Sequence, residues 1–141
     1  KKLKYKFKNK PLIVGGYALQ YYGIRKAGHD IDMMVSLKDW KLLKKKYPNK
    51  VNLFGGKKET DIDATINLRG DIDVDLIKTL YQHDYKYLSK GSFDFKNYKI
   101  ISLEKILFLK TIDGVFKKTK KSIKDQKLIV NHIVKHKYKK R

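Results

Sequence analysis

Apolar residues come in short bursts through the first half of the chain and settle into helical spacing only near its end. Lys1 to Lys10 alternates lysine with Leu3, Tyr5 and Phe7, which reads as an edge strand or a basic arm. Pro11 to Val14 is a short apolar run suited to a buried strand. Gly15-Gly16 then turns into a short helix over Tyr17 to Tyr22 that ends near Gly23. Asp30 to Leu37 reads as the next strand. Asp39 to Tyr47 reads as a helix that packs Trp40, Leu42 and Leu43, leaves its lysines in solvent, and stops at Pro48. Val51 to Phe54 and Asp61 to Leu68 read as strands on either side of Gly55-Gly56. Asp71 to Ile77 reads as a third, with Ile72, Val74 and Leu76 on one face and Asp71, Asp73 and Asp75 on the other. Two helices close the chain, Leu103 to Lys118 and Ser122 to Lys137, with Ser102 suited to start the first and Gly114 to weaken its end.

Strands first and helices last, with one helix interposed, predict an α+β (mixed α/β) domain. A length of 141 residues suits a single domain, 1–141, with one core. No apolar run approaches a membrane-spanning length and there is no signal-peptide pattern, so no membrane partner is expected. The absence of cysteine excludes disulfides and Cys-based zinc sites and fits an intracellular, cytoplasmic protein.

Charge changes the picture more. The net charge is +21, and only Arg25, Arg69 and Arg141 are arginine. Lysine is a flexible point charge, so the excess suggests attraction to polyanions such as nucleic acid rather than base-edge reading. A lysine-rich source composition accounts for it equally well.

Two features carry candidate chemistry. Gly15-Gly16 between strand and helix suits either a plain tight turn or a backbone that approaches phosphates closely. In a strand, Asp30 and Asp32 point to one face about 6.5–7 Å apart, close enough to share divalent metal. A third carboxylate on a neighbouring strand would complete such a site. Asp75, within the apolar run Val74 to Ile77, is the first candidate and Asp73 the alternative, each against the ordinary reading of a solvent-facing aspartate. The tripeptide Asp-Ile-Asp recurs at 30–32, 61–63 and 71–73.

Ile13-Val14-Gly15-Gly16-Tyr17-Ala18-Leu19, Tyr22-Gly23-Ile24-Arg25 and Asp30-Ile31-Asp32 together resemble the motif of the DNA polymerase beta-type nucleotidyltransferases. Within that superfamily the pattern is similar to the bacterial and viral branch related to abortive-infection-type toxins and aminoglycoside nucleotidyltransferases. The resemblance implies a mixed sheet flanked by helices, with helices at the C-terminus. It implies that Gly15 and Gly16 hold an NTP triphosphate, that Asp30 and Asp32 bind two Mg²⁺ ions, and that Asp75 activates a hydroxyl acceptor. The implied reaction moves a nucleoside monophosphate from the NTP to RNA such as tRNA, a protein or a small molecule, and a toxin–antitoxin partnership fits the same branch. Relatives commonly carry Thr or Ser where this chain has Gly28, which keeps open a catalytically weakened, nucleic-acid-binding module.

Downstream residues extend the pattern. Lys110 shares an apolar helical stripe with Leu103, Ile106 and Leu107, so it must snorkel or meet an anion. Asp125 shares a face with Leu128, Ile129 and Ile133. Ser102-Leu103-Glu104 with Lys110, then Lys124-Asp125, resemble the runs that lie near the nucleotide in related enzymes. By that resemblance Lys110 contacts the triphosphate and Asp125 positions Lys110 or the nucleotide. Arg25 and Lys26 would add positive charge near the phosphates. His132 and His136 have helical spacing for metal but no third ligand, and read as surface residues. The aromatic run Tyr81 to Tyr87 suits either base stacking or helix packing.

Overall fold

A computed structural model describes residues 5–54, 63–116 and 119–138. Its centre is a mixed seven-stranded sheet. The strands are β1 (Leu12–Val14), β2 (Asp30–Met34), β3 (Val51–Phe54), β4 (Asp63–Leu68), β5 (Asp73–Ile77), β8 (Phe93–Phe95) and β9 (Tyr98–Ile100). A two-stranded ribbon, β6 (Thr79–Leu80) and β7 (His83–Asp84), stands apart from it. The helices are α1 (Gly15–Tyr21), α2 (Leu37–Lys46), α3 (Tyr85–Leu88), α4 (Leu103–Phe116) and α5 (Lys120–Ile133). The sheet order is β3-β4-β5-β2-β1-β9-β8, and among the described residues only β2–β5 and β1–β9 are parallel pairs. A mixed sheet flanked by helices and followed by two C-terminal helices is the α+β architecture that the apolar pattern predicts.

The central strands are short because each apolar run ends at a capping or turn signal. Along β2 and β5 the consecutive residues Met33 and Met34, and Leu76 and Ile77, are all buried, so both faces of the sheet are covered at that end. The opposite ends of the same two strands carry the aspartates. Ser36 ends β2's run by capping α2, where its hydroxyl accepts from the Asp39 N–H at 3.2 Å. The α2 helix therefore begins at Leu37, ahead of the expected Asp39, and buries Trp40 and Leu43.

Residues 5–10 form no strand, in contrast to the edge-strand reading. Their N–H groups are committed elsewhere, since Lys8 and Asn9 donate to the fully buried Asp39 carboxylate at 2.9 and 3.0 Å. The Tyr5 hydroxyl donates to it at 2.6 Å. Burial by itself would raise the Asp39 pKa, but these hydrogen bonds and that of Ser36 hold it below the usual carboxylate range. The segment is a strap buckled to α2, with Tyr5 and Phe7 against the core.

The edge strands of the sheet are instead β3 and β8. The hairpin β8–β9 lies between the strand-rich half and the C-terminal helices, so the simple order of strands before helices is too coarse. Its signal is the alternation of Phe93, Phe95 and Tyr98 around Lys96-Asn97. The run Tyr81 to Tyr87 is a hairpin turn, β7 and part of α3, rather than one packed helix. Strand β5 starts at Asp73, two residues later than expected. Gly114 does not end α4, which continues to Phe116. A Cβ at Gly114 would lie 2.3 Å from the Gln126 side chain, so the glycine gives α5 room beside α4. Gly55-Gly56, Asp61 and Arg141 lie outside the described residues.

Candidate functional site

The parallel pairing of β2 with β5 builds the site. Its register sets Asp30 beside Asp73 and Asp32 beside Asp75. Because side chains alternate along a strand, all four carboxylates share one face. The register of β1 with β2 places Val14 beside Asp32, and that of β4 with β5 places Asn67 beside Asp75. A cavity of about 560 Å³ opens over this face. Gly15, Asp32, Asn67 and Asp75 line its floor, Leu109, Lys110 and Asp113 of α4 line a wall, and Leu80 and Tyr81 of the ribbon turn line another.

The first glycine is required by sterics. Gly15 has φ +69°, and a Cβ there would lie 2.6 Å from Asp32 Oδ2. The chain thus brings backbone into contact with a carboxylate at the point where β1 becomes α1. No side chain caps α1, and no acidic residue sits in its first turn. Gly16 has ordinary contacts with the 25–28 loop instead, and a Cβ at Gly28 would meet nothing within 4 Å.

Electrostatics single out Asp32. Burial, then the charge and hydrogen bond of Asp75, then the charge of Asp30, push its pKa up to about 7, while Lys110 pulls the other way. Asp75 is further held by Asn67, which donates at 2.7 Å, and by Arg69, whose guanidinium donates at 2.8 Å. Asp73 accepts from the Gly70 N–H at 3.2 Å and lies 3.6 Å from His29 Nε2. Asp30 is exposed. Among the described residues, no three His, Cys, Asp or Glu side chains form a ready-made metal cage. The nearest approach to one is the Asp32–Asp75 pair.

Lys110 reaches the cavity from α4, and its ammonium sits 3.1 Å from Asp125 Oδ2. Arg25 also lies against Asp125, through Nε at 2.8 Å and a second guanidinium nitrogen at 3.0 Å. Asp125 is almost fully buried, and burial would raise its pKa, but the hydrogen bonds from Arg25 and Lys110 hold it low. The Arg25 side chain is therefore committed to a buried fork, and neither it nor the exposed Lys26 lines the cavity. Of the residues singled out in the sequence, the cavity gathers Gly15, Asp32, Asp75 and Lys110. Asp125 and Arg25 stand behind Lys110, and Asp30, Asp73, Gly16 and Lys26 lie off the lining.

Several lining residues carry no local signal. Asp63, the last residue of the second Asp-Ile-Asp, accepts from Thr79 Oγ1 at 2.8 Å and from the N–H groups of Tyr81 and Gln82 at 2.7 and 2.8 Å. It stabilises a two-residue hairpin turn in which Tyr81 and Gln82 both have positive φ, at 49° and 66°. The Tyr81 hydroxyl and Ser122 Oγ both donate to Asp113. Asn67 is revealed only by the strand register that sets it beside Asp75. His132 and His136 stack at 4.1 Å and, among the described residues, gather no third ligand.

No protein-family model matches this chain. No curated protein matches it. Among solved structures, a protein from H. pylori provisionally named a nucleotidyltransferase is similar at 18% identity with a TM-score of 0.39. The likeness covers 73% of this chain and 50% of the other, so the chain spans about half the length of that neighbour. At that level it decides neither family nor activity. No helix among the described residues is long and apolar enough to cross a membrane.

Proposed function

We propose that this chain is a magnesium-dependent nucleotidyltransferase domain that moves a nucleoside monophosphate from an NTP to a hydroxyl. The observation that carries the reading is the register that sets Asp32 beside Asp75 in a cavity shared with Gly15 and Lys110. A hard-oxygen donor set of this kind suits Mg²⁺, which keeps several waters and takes one or two carboxylates plus substrate phosphates rather than a full protein cage. Asp32 and Asp75, with Asp30 at the outer end of β2, would hold it. When bound, the metal supplies positive charge to the attacking and leaving oxygens of an in-line displacement.

The chain's own groups do the rest. The N–H groups of the Gly15 turn face the phosphates where no side chain caps the helix. Lys110, held by Asp125 and through it by Arg25, neutralises phosphate charge from the opposite wall. The acceptor oxygen bonds to the α-phosphorus as the bond to pyrophosphate breaks, and the acceptor proton passes to Asp75. The acceptor is open between RNA, protein and a small molecule, and the charge of +21 favours a polyanion.

A second reading, a polyanion-binding module with weakened catalysis, has its own support. Asp75 is engaged by Arg69 and Asn67, and Gly28 has room for the hydroxyl side chain that relatives carry there. Incubation with Mg²⁺, total RNA and NTP labelled at either the α- or the γ-phosphate separates the two. Nucleotidyl transfer puts the α-label and not the γ-label into product. Asp32→Asn should then cut the rate at least 100-fold, about 2.7 kcal/mol of barrier. The same variant should lose no thermal stability at pH 8 without metal, because the buried charge it removes is disfavoured there. Absence of NTP binding at saturating Mg²⁺ would leave the binding module standing.

A further inference from the structure

The β8–β9 hairpin and the end of α1 build a second surface, away from the cavity lining. Register places Phe93 beside Ile100 and Phe95 beside Tyr98, so these four side chains share one face of the hairpin. Ile100 is buried in the core, but Phe93, Phe95 and Tyr98 remain 50%, 42% and 40% exposed. Tyr21, 44% exposed, meets the Phe95 ring edge-on at 5.5 Å, and Tyr22 meets Phe93 at 6.2 Å. The Tyr22 hydroxyl donates to the Ile101 carbonyl at 2.7 Å, which anchors this platform to the fold. Single exposed aromatics are ordinary, but a contiguous set is not.

Charge says what covers it. Residues 90–99 hold Lys90, Lys96 and Lys99 against one acid, Asp94, which already lies 3.6 Å from Lys99 and 3.8 Å from Lys10. Lys96 sits at the hairpin tip with its ammonium 5.3 Å from the Phe95 ring centroid. A second copy would have to bring one +21 chain against another. A polynucleotide has the opposite charge, and only a single strand offers free base faces to ring faces. We propose that Tyr21, Phe93, Phe95 and Tyr98 form a stacking platform for a single-stranded polynucleotide, with Lys96 at the hairpin tip on the phosphates. Helix α1 starts at Gly15 in the cavity floor and ends in this platform at Tyr21, about 9 Å away at 1.5 Å per residue. The platform stands whether or not the cavity is catalytic.

Fluorescence anisotropy with labelled oligo(U), oligo(dT), an abasic oligomer of equal length and a duplex tests it. The wild-type chain should bind oligo(U) or oligo(dT) more tightly than the abasic oligomer and the duplex. Phe93→Leu and Phe95→Leu keep apolar packing against α1 but remove the ring face, and each should weaken binding about 5- to 100-fold. The slope of affinity against salt should stay unchanged in these variants, because the phosphate contacts remain. Mg²⁺-dependent NTP binding should also be unchanged, so failure of the platform and failure of the catalytic reading are separately visible. Equal affinity for abasic and base-bearing oligomers would overturn the proposal. So would a concentration-dependent dimer that the two leucine substitutions dissolve.

Discussion

Gly15 and Gly23 have nearly the same φ, +69° and +73°, yet different surroundings. A Cβ at Gly23 meets nothing within 4 Å, whereas at Gly15 it runs into Asp32. Substituting alanine at either position forces an L-residue into the left-handed region, at a cost of about 1–2 kcal/mol. Gly23→Ala should show that cost in its urea midpoint and leave Mg²⁺-dependent NTP binding intact. Gly15→Ala should lose more stability and weaken NTP binding at least tenfold, because Asp32 must move. Equal behaviour of the two variants would show that the close approach has no role in the site. A Cβ at Gly16 would make only ordinary contacts.

At the scale of elements, the molecule is tied by two buried aspartates that each gather several donors. Asp125 joins α4, α5 and the loop after α1 through Lys110 and Arg25. Asp39 joins α2 to the N-terminal strap. The folded Asp39 pKa lies below its ordinary value, so the folded state binds this proton less well than the unfolded chain does. Its contribution is therefore complete above about pH 4 and is lost as the pH falls below that toward the folded value. Asp39→Asn should cost about 1–3 kcal/mol at pH 7, because buried N–H and O–H donors lose a charged acceptor. It should also flatten the acid limb of the stability curve, measured by urea unfolding from pH 7 to pH 3. Unchanged acid dependence would place that limb in other carboxylates.

For the whole molecule, the charge of +21 acts on both stability and binding, with opposite responses to salt. Self-repulsion of a chain this basic opposes the compact state, and the Debye length falls from about 30 Å at 0.01 M to about 10 Å at 0.1 M. The buried Arg25–Asp125–Lys110 group is screened far less than the exposed lysines. The urea midpoint should therefore rise as NaCl increases from 0.01 M to 0.1 M, while affinity for a polyanion falls. A midpoint that drops with salt would mean that surface ion pairs outweigh repulsion.

Much of the architecture is legible in the apolar pattern because strands and helices declare themselves locally. Runs such as Pro11 to Val14, Val51 to Phe54 and Leu103 onward need only their own residues to be placed. The juxtaposition of a Gly-Gly turn with alternating aspartates is equally local, and it brings Gly15-Gly16 together with Asp30 and Asp32 as candidates. What no local pattern can decide is the fate of three identical Asp-Ile-Asp segments. Strand register is a non-local pairing, and a shift of one residue would turn the carboxylates to the opposite face. Tertiary structure sets Asp75 beside Asp32, commits Asp63 to the Tyr81-Gln82 turn, and commits Arg25 to Asp125. Composition and spacing tell which chemical groups this chain possesses. Only the packing of distant strands and helices tells which of those groups meet.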